Sequence, residues 1–347
     1  EFRRDRFIKD VLSEFPRLQL KRRLDHVSFN LHHNLPVKRL ENMIDVLVKS
    51  LPEPLDPKKT DNDFGEFIYA SYSNFISFYC CGEPYLEVSL NALKEITKRF
   101  SAEYALRKFL ICYPYETYPV LLKWTKDKNY HVRRLASEGS RPYLPWGQAI
   151  GLNEEESIKI LNNLYYDKTR YVTRSVANHL NDIARIHPNV VIDLIKKWKA
   201  SGKQSESEME FITKHALRNQ IKEGNKEALH LIGIGNEKGI SIQDLRFDKV
   251  VKINTALTFE FSLKSTVRKE VFINFKIWFK SQYTNRFYYK IYKIKQLDLK
   301  RGAVQKFAKK HMFKSDMSTR TYNPGMHKIE IQINGSVVAE FEFELID

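Results

Sequence analysis

The chain contains little cysteine, and its cysteines are not spaced for cross-linking. Its 347 residues include three cysteines, two of which are the adjacent pair Cys80 and Cys81, and no CxxC motif occurs. This usage excludes a disulfide framework and is typical of a reducing compartment.

Long apolar runs are also missing. No segment approaches the ~18 consecutive apolar residues that a membrane-spanning helix needs. Residues 1–5, four of which are charged, are not followed by the hydrophobic segment of a secretory signal. We therefore expect a cytoplasmic protein.

Several catalytic signatures are absent as well. The sequence has no P-loop and no GxSxG motif, and Gly233, Gly235 and Gly239 miss the spacing of a dinucleotide-binding loop. The histidines form no HExxH motif and have no cysteine at metal-ligand spacing. We expect neither a metal nor a cofactor.

Negative charge is in short supply relative to positive charge. The 58 lysines and arginines outnumber the 42 acidic residues, which gives a formal net charge of +16. Such an excess favours a polyanionic partner, with nucleic acid first and an anionic membrane surface second. A chain of this length more often holds two domains than one.

The first part of the chain, residues 1–235, has the apolar spacing of helices. Leu40, Met43, Ile44 and Leu47 recur at intervals of three and four. Residues 127–137 align without a gap on residues 167–177, an offset of 40, and a weaker third copy follows near residue 212. A two-helix repeat of about 40 residues is typical of HEAT-type α-solenoids.

The repeat predicts which side chains share a face. In the first copy Arg134 and Glu138 lie opposite the apolar residues of their helix. The corresponding positions of the other copies are polar or basic, and they predict a basic stripe that is interrupted by carboxylates. These positions are Arg174, Asn178 and Asp182 in the second copy, and Lys214, Arg218 and Lys222 in the third.

Beyond a predicted linker over residues 236–248, the period changes to two. Apolar residues alternate with polar ones from Leu257 to Leu263 and from Val271 to Phe279, and Asn334 and Gly335 form a hairpin signal. About seven strands over residues 249–347 predict a smaller all-β immunoglobulin-like sandwich. Its middle strands are rich in basic residues, namely Lys290, Lys293, Lys295, Lys300, Arg301, Lys306, Lys309 and Lys310.

Two residues near Gly139 have competing interpretations. Glu138 is either one half of an ion pair with Arg134 on a solvated helix face, or an anion kept at a helix C-terminus to stabilise a cation. Trp146 is either a core residue that follows a proline turn or a flat surface for a base or sugar. By contrast, Trp124 and Trp198 recur with the repeat, so we interpret both as structural. Asn153 and Glu156 are interpreted as a helix-capping box rather than a catalytic pair.

Four segments of the helical part carry a family resemblance. They are VRRLASEGSRP at 132–142 with LPW at 144–146, TKRFSAEYALR at 97–107, SVANHLNDIA at 175–184, and KHALR at 214–218. Together they resemble the AlkC branch of the AlkC/AlkD family of DNA alkylation-repair glycosylases. That family has a HEAT-like fold, and a subset of AlkC proteins carries a C-terminal immunoglobulin-like domain.

The resemblance implies a monofunctional DNA N-glycosylase that acts on cationic methylated bases such as 3-methyladenine, 3-methylcytosine and 1-methyladenine. The family is thought to work without flipping the base into a deep pocket. The implied partner is double-stranded DNA with alkylated bases, bound by a monomer, and the sandwich is expected to be an accessory DNA-binding domain.

The resemblance also implies roles for individual residues. Glu138 would be the principal electrostatic stabiliser, Glu103 the second carboxylate, Trp146 a packing surface for the lesion, and Asp182 a supporting group. The expected DNA-binding residues are Arg133, Arg134, Arg141, Arg174, Asn178, Lys214, His215 and Arg218. The alternative function is a non-catalytic HEAT-repeat scaffold for nucleic acid, because a solenoid fold does not imply activity. A membrane-surface protein is supported by charge alone.

Overall fold

The computed structural model describes residues 2–61, 63–281, 286–317 and 321–347. These residues form two compact units, of which the first ends at Ala216 and the second begins at Leu217. None of the described helices is both long and apolar enough to cross a membrane.

The first unit is helical, as the sequence predicted. Its helices are α1 (Arg4–Glu14), α2 (Leu20–Asn34), α3 (Leu40–Lys49), α4 (Ala70–Tyr79), α5 (Leu86–Thr97), α6 (Glu103–Cys112), α7 (Pro114–Trp124), α8 (Tyr130–Glu138), α9 (Glu154–Leu164), α10 (Arg170–Ile183), α11 (Pro188–Ser201) and α12 (Glu206–Ala216).

The 40-residue repeat corresponds to a repeated local structure. Helices α8 and α10 begin at equivalent positions, and the residue that precedes each start is held by the same turn. The Asp127 carboxylate accepts the Asn129 N–H at 2.8 Å, and the Asp167 carboxylate accepts the Thr169 N–H at 2.9 Å. Helix α10 packs between α8 and α12, so successive copies lie side by side.

The partner helices of the repeat are equally regular. Both α7 and α11 begin with proline, whose missing N–H costs nothing at the first helical position. Trp124 and Trp198 lie near the ends of these helices and are 4% and 2% exposed, which confirms their structural interpretation. The predicted capping box of Asn153 and Glu156 is also confirmed at the start of α9.

The second unit combines two short helices with eight strands among its described residues. They are α13 (Arg218–Glu223) and α14 (Lys226–Leu231), followed by β1 (Ile240–Phe247), β2 (Val250–Lys252), β3 (Ala256–Ser265), β4 (Lys269–Lys280), β5 (Phe287–Leu299), β6 (Val304–Met312), β7 (Gly325–Ile333) and β8 (Ser336–Ile346).

The strands form two sheets that share one apolar core. One sheet has the order β1-β3-β6, and the other has the order β2-β8-β7-β4-β5. The side chains that alternate along β3 and β4, including Phe259 and Phe275, meet in this core. The predicted Asn334-Gly335 turn joins β7 to β8, and both of its residues have the positive φ that a two-residue hairpin needs.

The unit boundary lies earlier than the sequence predicted. The end of α13 packs against the β7–β8 turn, where Gly224 and Gly335 approach so closely that neither position has room for a Cβ atom. Residues that looked like the end of the helical part therefore pack with the strands.

The predicted linker over 236–248 was also wrong in part, because it contains β1. Asp244 has a positive φ of 54°, and the pairing of β1 with β3 shifts register between Gln243 and Arg246. Such a bulge breaks the alternation by which a strand is recognised in sequence.

The third repeat copy departs from its prediction for a similar reason. Helix α12 ends at Ala216, and Leu217 leaves helical geometry. Arg218 and Lys222 therefore belong to α13, in the second unit, rather than to the helix that carries Lys214. The three positions predicted for the third copy of the stripe therefore do not lie on a single helix.

Candidate active site

Helix α8 ends beside α6 because Gly139 permits a close approach. A Cβ atom at Gly139 would lie 2.5 Å from the Leu106 side chain, so a larger residue would displace Leu106 from its packed position. Gly139 has an ordinary right-handed φ of −67°, so space rather than backbone freedom explains this glycine. The close packing places Glu138, the last residue of α8, next to α6.

Arg134 joins two of the predicted carboxylates. Its Nη1 donates to Glu103 Oε2 at 2.6 Å, and its Nη2 lies 3.7 Å from Glu138 Oε1. The guanidinium carbon also lies 4.7 Å from the centre of the Tyr171 ring, a cation–π arrangement. Glu103 and Glu138 thus converge on one guanidinium group.

Arg141 joins Glu138 to the third carboxylate. Its Nη1 donates to Glu138 Oε1 at 2.7 Å, and its Nε donates to Asp182 Oδ2 at 2.9 Å. The Tyr143 N–H donates to the same Asp182 oxygen at 3.3 Å. Asp182 is completely buried, and Glu138 is 6% exposed. We call Glu103, Arg134, Glu138, Arg141 and Asp182 the carboxylate cluster.

The cluster holds three carboxylates and two guanidinium groups, a formal charge of −1. Glu103 is the first residue of α6, where the helix dipole favours an anion, whereas Glu138 ends α8, where the dipole disfavours one. Burial alone would raise the pKa of Glu138, but the charges of Arg134 and Arg141 and a hydrogen bond from Ser175 hold that pKa below its ordinary value. Glu138 is therefore ionised at neutral pH.

Trp146 stands in a strained turn, five residues after Arg141 of the cluster. The Gly147 N–H donates to the Leu144 carbonyl at 2.9 Å, and Trp146 occupies the third position of this turn with a φ of 60°. Glycine is the usual residue there, and a bulky residue with positive φ is strained. Trp146 is 82% exposed, so the core interpretation is wrong. Its indole lies 5.5 Å from the Lys21 ammonium.

The structure excludes the interpretation of Glu138 as a residue on a solvated helix face. The predicted ion pair with Arg134 exists, but the shorter contact is to Arg141, and the face is buried rather than solvated. The interpretation as a solvated surface ion pair is wrong because α6 and α10 cover the polar side of α8 and leave its charges little contact with water.

The residues predicted to bind phosphate are mostly engaged with other groups. Arg133 makes a bidentate ion pair with Asp167 and donates to two carbonyls of the preceding turn. Arg174 pairs with Asp61, and Arg134 and Arg141 belong to the cluster. Each guanidinium thus has a structural partner in the unit, and a role in DNA binding stays a prediction.

The remaining predicted DNA-binding residues divide between the two units. Lys214 pairs with Glu210, and the Asn178 side-chain oxygen lies 2.9 Å from His215 Nε2. Arg218 begins α13 in the second unit. Their contacts with DNA also stay predictions.

Sequence reasoning missed three residues that complete the cluster. Ser101 bonds both Glu103 and Arg134, Tyr171 underlies Arg134, and Ser175 hydrogen-bonds Glu138. Ser175 had a signal in the repeat, because it aligns with the core residue Leu135, where a hydroxyl is unexpected. Among the described residues, no group of three histidine, cysteine or acidic side chains is arranged to hold a metal ion.

The fold and the site define a class of protein in which a helical-repeat unit, with a buried carboxylate–arginine cluster, is followed by a β-sandwich. A family model described as the C-terminal Ig-like domain of the uncharacterised protein YhaZ matches residues 241–347. YhaZ of Bacillus subtilis (strain 168) is 32% identical over 99% of this chain and 93% of its own length.

Among solved structures, the chain is similar to Pseudomonas fluorescens alkylpurine DNA glycosylase AlkC bound to DNA containing an abasic site analog. That structure has a TM-score of 0.81 and 32% sequence identity, over 100% of this chain and 93% of that one. The chain belongs to the AlkC branch of the AlkC/AlkD family.

Proposed function

We propose that the protein is a DNA glycosylase of alkylation repair that hydrolyses the N-glycosidic bond of cationic N-methylated bases. The observation that carries the proposal is the ionised, buried Glu138, in a chain similar over its whole length to a DNA glycosylase; the exposed Trp146 follows it on the same loop. As candidate substrates we propose 3-methyladenine, 3-methylcytosine and 1-methyladenine.

The chemistry of these substrates matches the charge of the site. An alkylated base already carries positive charge and leaves without a general acid, so the transition state develops an oxocarbenium-like sugar. A fixed carboxylate stabilises that charge and orients the attacking water. A cluster with a formal charge of −1 provides such an environment, with Glu138 as the principal stabiliser and Glu103 as the second carboxylate. No lysine nucleophile is needed, so the enzyme would be monofunctional.

The other members of the site have supporting roles in this proposal. Trp146 packs against the deoxyribose or base of the lesion, which does not require a deep pocket. Asp182 holds Arg141 against Glu138. Arg134 and Arg141 serve mainly to keep Glu138 ionised, a role that differs from the phosphate contacts that the sequence led us to expect.

We further propose that the helical unit is a HEAT-like solenoid and that the sandwich is an accessory DNA-binding domain in a monomeric enzyme. The regular packing of α8, α10 and α12 at a 40-residue offset supports the first proposal. Exposed lysines on β5, at one end of the five-stranded sheet, support the second.

One observation favours the alternative function of a non-catalytic scaffold. Every carboxylate of the cluster is paired with an arginine, as in a purely structural ion-pair network. A scaffold would bind nucleic acid through its basic surface without regard to methylation.

The experiment that separates the two functions is the release of methylated bases from duplex DNA treated with a methylating agent. We expect the wild-type protein to release methylated bases at a rate well above the spontaneous one and to leave undamaged DNA intact. Equal binding to treated and untreated duplex without any base release would leave the scaffold as the function.

A further inference from the structure

Arg107 lies one turn beyond Glu103 on α6, has no role in the site described so far, and is one of the largest fully buried side chains, at 1% exposure. Its guanidinium donates to three backbone carbonyls. The bonds are from Nε to Gln148 at 2.6 Å, from Nη1 to Arg141 at 2.7 Å, and from Nη1 to Gly139 at 3.1 Å.

These three carbonyls belong to one loop, which runs from Gly139 to Gln148. One guanidinium therefore ties the two ends of the loop together. The loop carries Arg141, which contacts Glu138, and Trp146, whose backbone is strained. A second residue of α6 supports the same loop, because the Tyr104 hydroxyl donates to the Pro145 carbonyl at 3.2 Å.

Gly147 leaves space for the Arg107 side chain. A Cβ atom at Gly147 would lie 3.0 Å from Arg107 Nε and 3.1 Å from its Cδ, tighter than ordinary van der Waals contact. The glycine next to Trp146 therefore allows the loop to close over the guanidinium.

Stability alone does not explain a buried arginine of this kind. Among the described residues, no carboxylate lies within ion-pair distance of Arg107, although the charge of Asp182 acts on it from farther away, and its Nη2 has no hydrogen-bond partner. Burying a charge without a direct ionic partner is expensive, and an apolar residue in such a place is often as stable or more so. Arginine does offer donors in several fixed directions, which a loop with three inward-facing carbonyls can use.

We propose that Arg107 is a positioning residue that fixes loop 139–148, so that Arg141 is held against Glu138 and Trp146 is held in its exposed turn. The inference rests on the proposed function for its effect on catalysis, but its structural part concerns only the loop. Lysine cannot replace Arg107, because a single ammonium cannot reach three separated carbonyls.

The test compares Arg107→Lys with Arg99→Lys. Arg99 is the control, because it lies in the helical unit and donates to backbone carbonyls, of Pro52 at 2.7 Å and Glu95 at 3.0 Å, but not to the loop; unlike Arg107 it is only partly buried and also pairs with the Glu95 carboxylate. Each variant is made with and without Trp146→Phe, so that the fluorescence of Trp146 is obtained by difference from the other three tryptophans.

We expect Arg107→Lys to lower the fluorescence anisotropy of Trp146 and Arg99→Lys to leave it unchanged. On methylated duplex, kcat should fall by about 10²-fold with a smaller change in KM, because a misplaced group affects mainly the transition state. In the Trp146→Phe background most of this loss should disappear, since residues that act through each other do not give multiplicative effects.

Unchanged Trp146 anisotropy in a folded Arg107→Lys protein would overturn the proposal. The proposal would also be overturned if the kcat losses of Arg107→Lys and Trp146→Phe multiplied fully in the double variant. If Arg107→Lys does not fold, Gly147→Ala provides the same test by pressing on the guanidinium from the loop side, and unchanged anisotropy in that variant also overturns the proposal. If the wild type releases no base, the proposed function fails, yet the anisotropy still decides whether Arg107 holds the loop.

Discussion

The two units differ in how much charge they bury. The helical unit buries Arg107, Glu138 and Asp182 among its helices, whereas the sandwich has an aromatic and aliphatic core, buries Glu330 against Lys276 near its surface, and carries lysines on the exposed strands β5 and β6. Exposed charge costs little, but buried charge is retained only where a network of partners compensates for lost hydration. We therefore expect the catalytic chemistry to take place in the helical unit.

The largest expected effect concerns the removal of one arginine from each unit. Arg141→Met should lower the free energy of unfolding by about 3–5 kcal/mol, because two buried carboxylates lose a partner. Arg268→Met in the sandwich breaks an exposed ion pair with Asp298, which solvent screens, and should cost much less. Urea unfolding measures both, and equal losses would contradict the contrast between the units.

The next effect is the dependence of stability on pH. Burial lowers the pKa of His179 to about 3 and that of His131 to about 4, so both stay neutral in the folded state. Below pH ~6.5 the unfolded chain binds protons that the folded chain does not, so stability must fall as the pH drops. Each histidine should contribute about 1.4 kcal/mol per pH unit until the pH approaches its folded pKa.

Urea unfolding at pH 7, 6 and 5 measures this dependence. His179→Gln should remove about half of the slope that the two histidines produce. A wild-type stability that is independent of pH over this range would show that these buried histidines do not govern it.

A smaller effect separates stability from activity at the strained turn. Trp146→Gly should stabilise the protein by about 1 kcal/mol, because glycine accepts a positive φ, while base release falls by tenfold or more. In the sandwich, Asp244→Gly relieves a similar φ in a residue type that tolerates it and should gain less. Thermal unfolding and base release are measured on the same samples. A Trp146→Gly protein that is less stable than wild type would refute the assignment of strain.

The smallest effect tests the exposed lysines of the sandwich. Lys290, Lys293 and Lys295 lie on β5 at the end of a sheet, where lysines either bind DNA or prevent association through the sheet edge. If they contact phosphates, replacing all three by glutamine should make the slope of log K against log salt concentration less steep by about 0.9 for each contact that is lost.

A matched control for this triple variant replaces lysines whose charge is already paired, namely Lys49, Lys159 and Lys196. An unchanged salt dependence together with new self-association of the β5 variant would assign its lysines to edge protection instead.

Local pattern was sufficient to predict much of the fold. The recurrence of Asp127 and Asp167 located two equivalent helix starts, and the alternation around Phe259 located a core strand. Strand β1 was missed because the bulge at Asp244 destroys the alternation on which the prediction depends. Helix α13 was assigned to the wrong unit because its contact with the β7–β8 turn is not a local property of sequence.

The candidate site was predictable as a set of residues but not as a network. Spacing indicated that Arg134 and Glu138 could meet, since they are four residues apart on one helix. Spacing could not show that Asp61 would engage Arg174, because their separation along the chain exceeds one hundred residues. Nor could it reveal that Arg107 points into a loop that begins 32 residues later.

In this account the negative charge of Glu138 stabilises the positive charge that develops on the sugar in the transition state. The most direct test is single-turnover release of methylated base by Glu138→Gln. The exposed residue Glu155, which pairs with Lys159, supplies Glu155→Gln as the control. We predict a loss of about 10²–10³-fold for Glu138→Gln, with DNA binding retained and the control unchanged. Base release by folded Glu138→Gln at the wild-type rate would contradict the account.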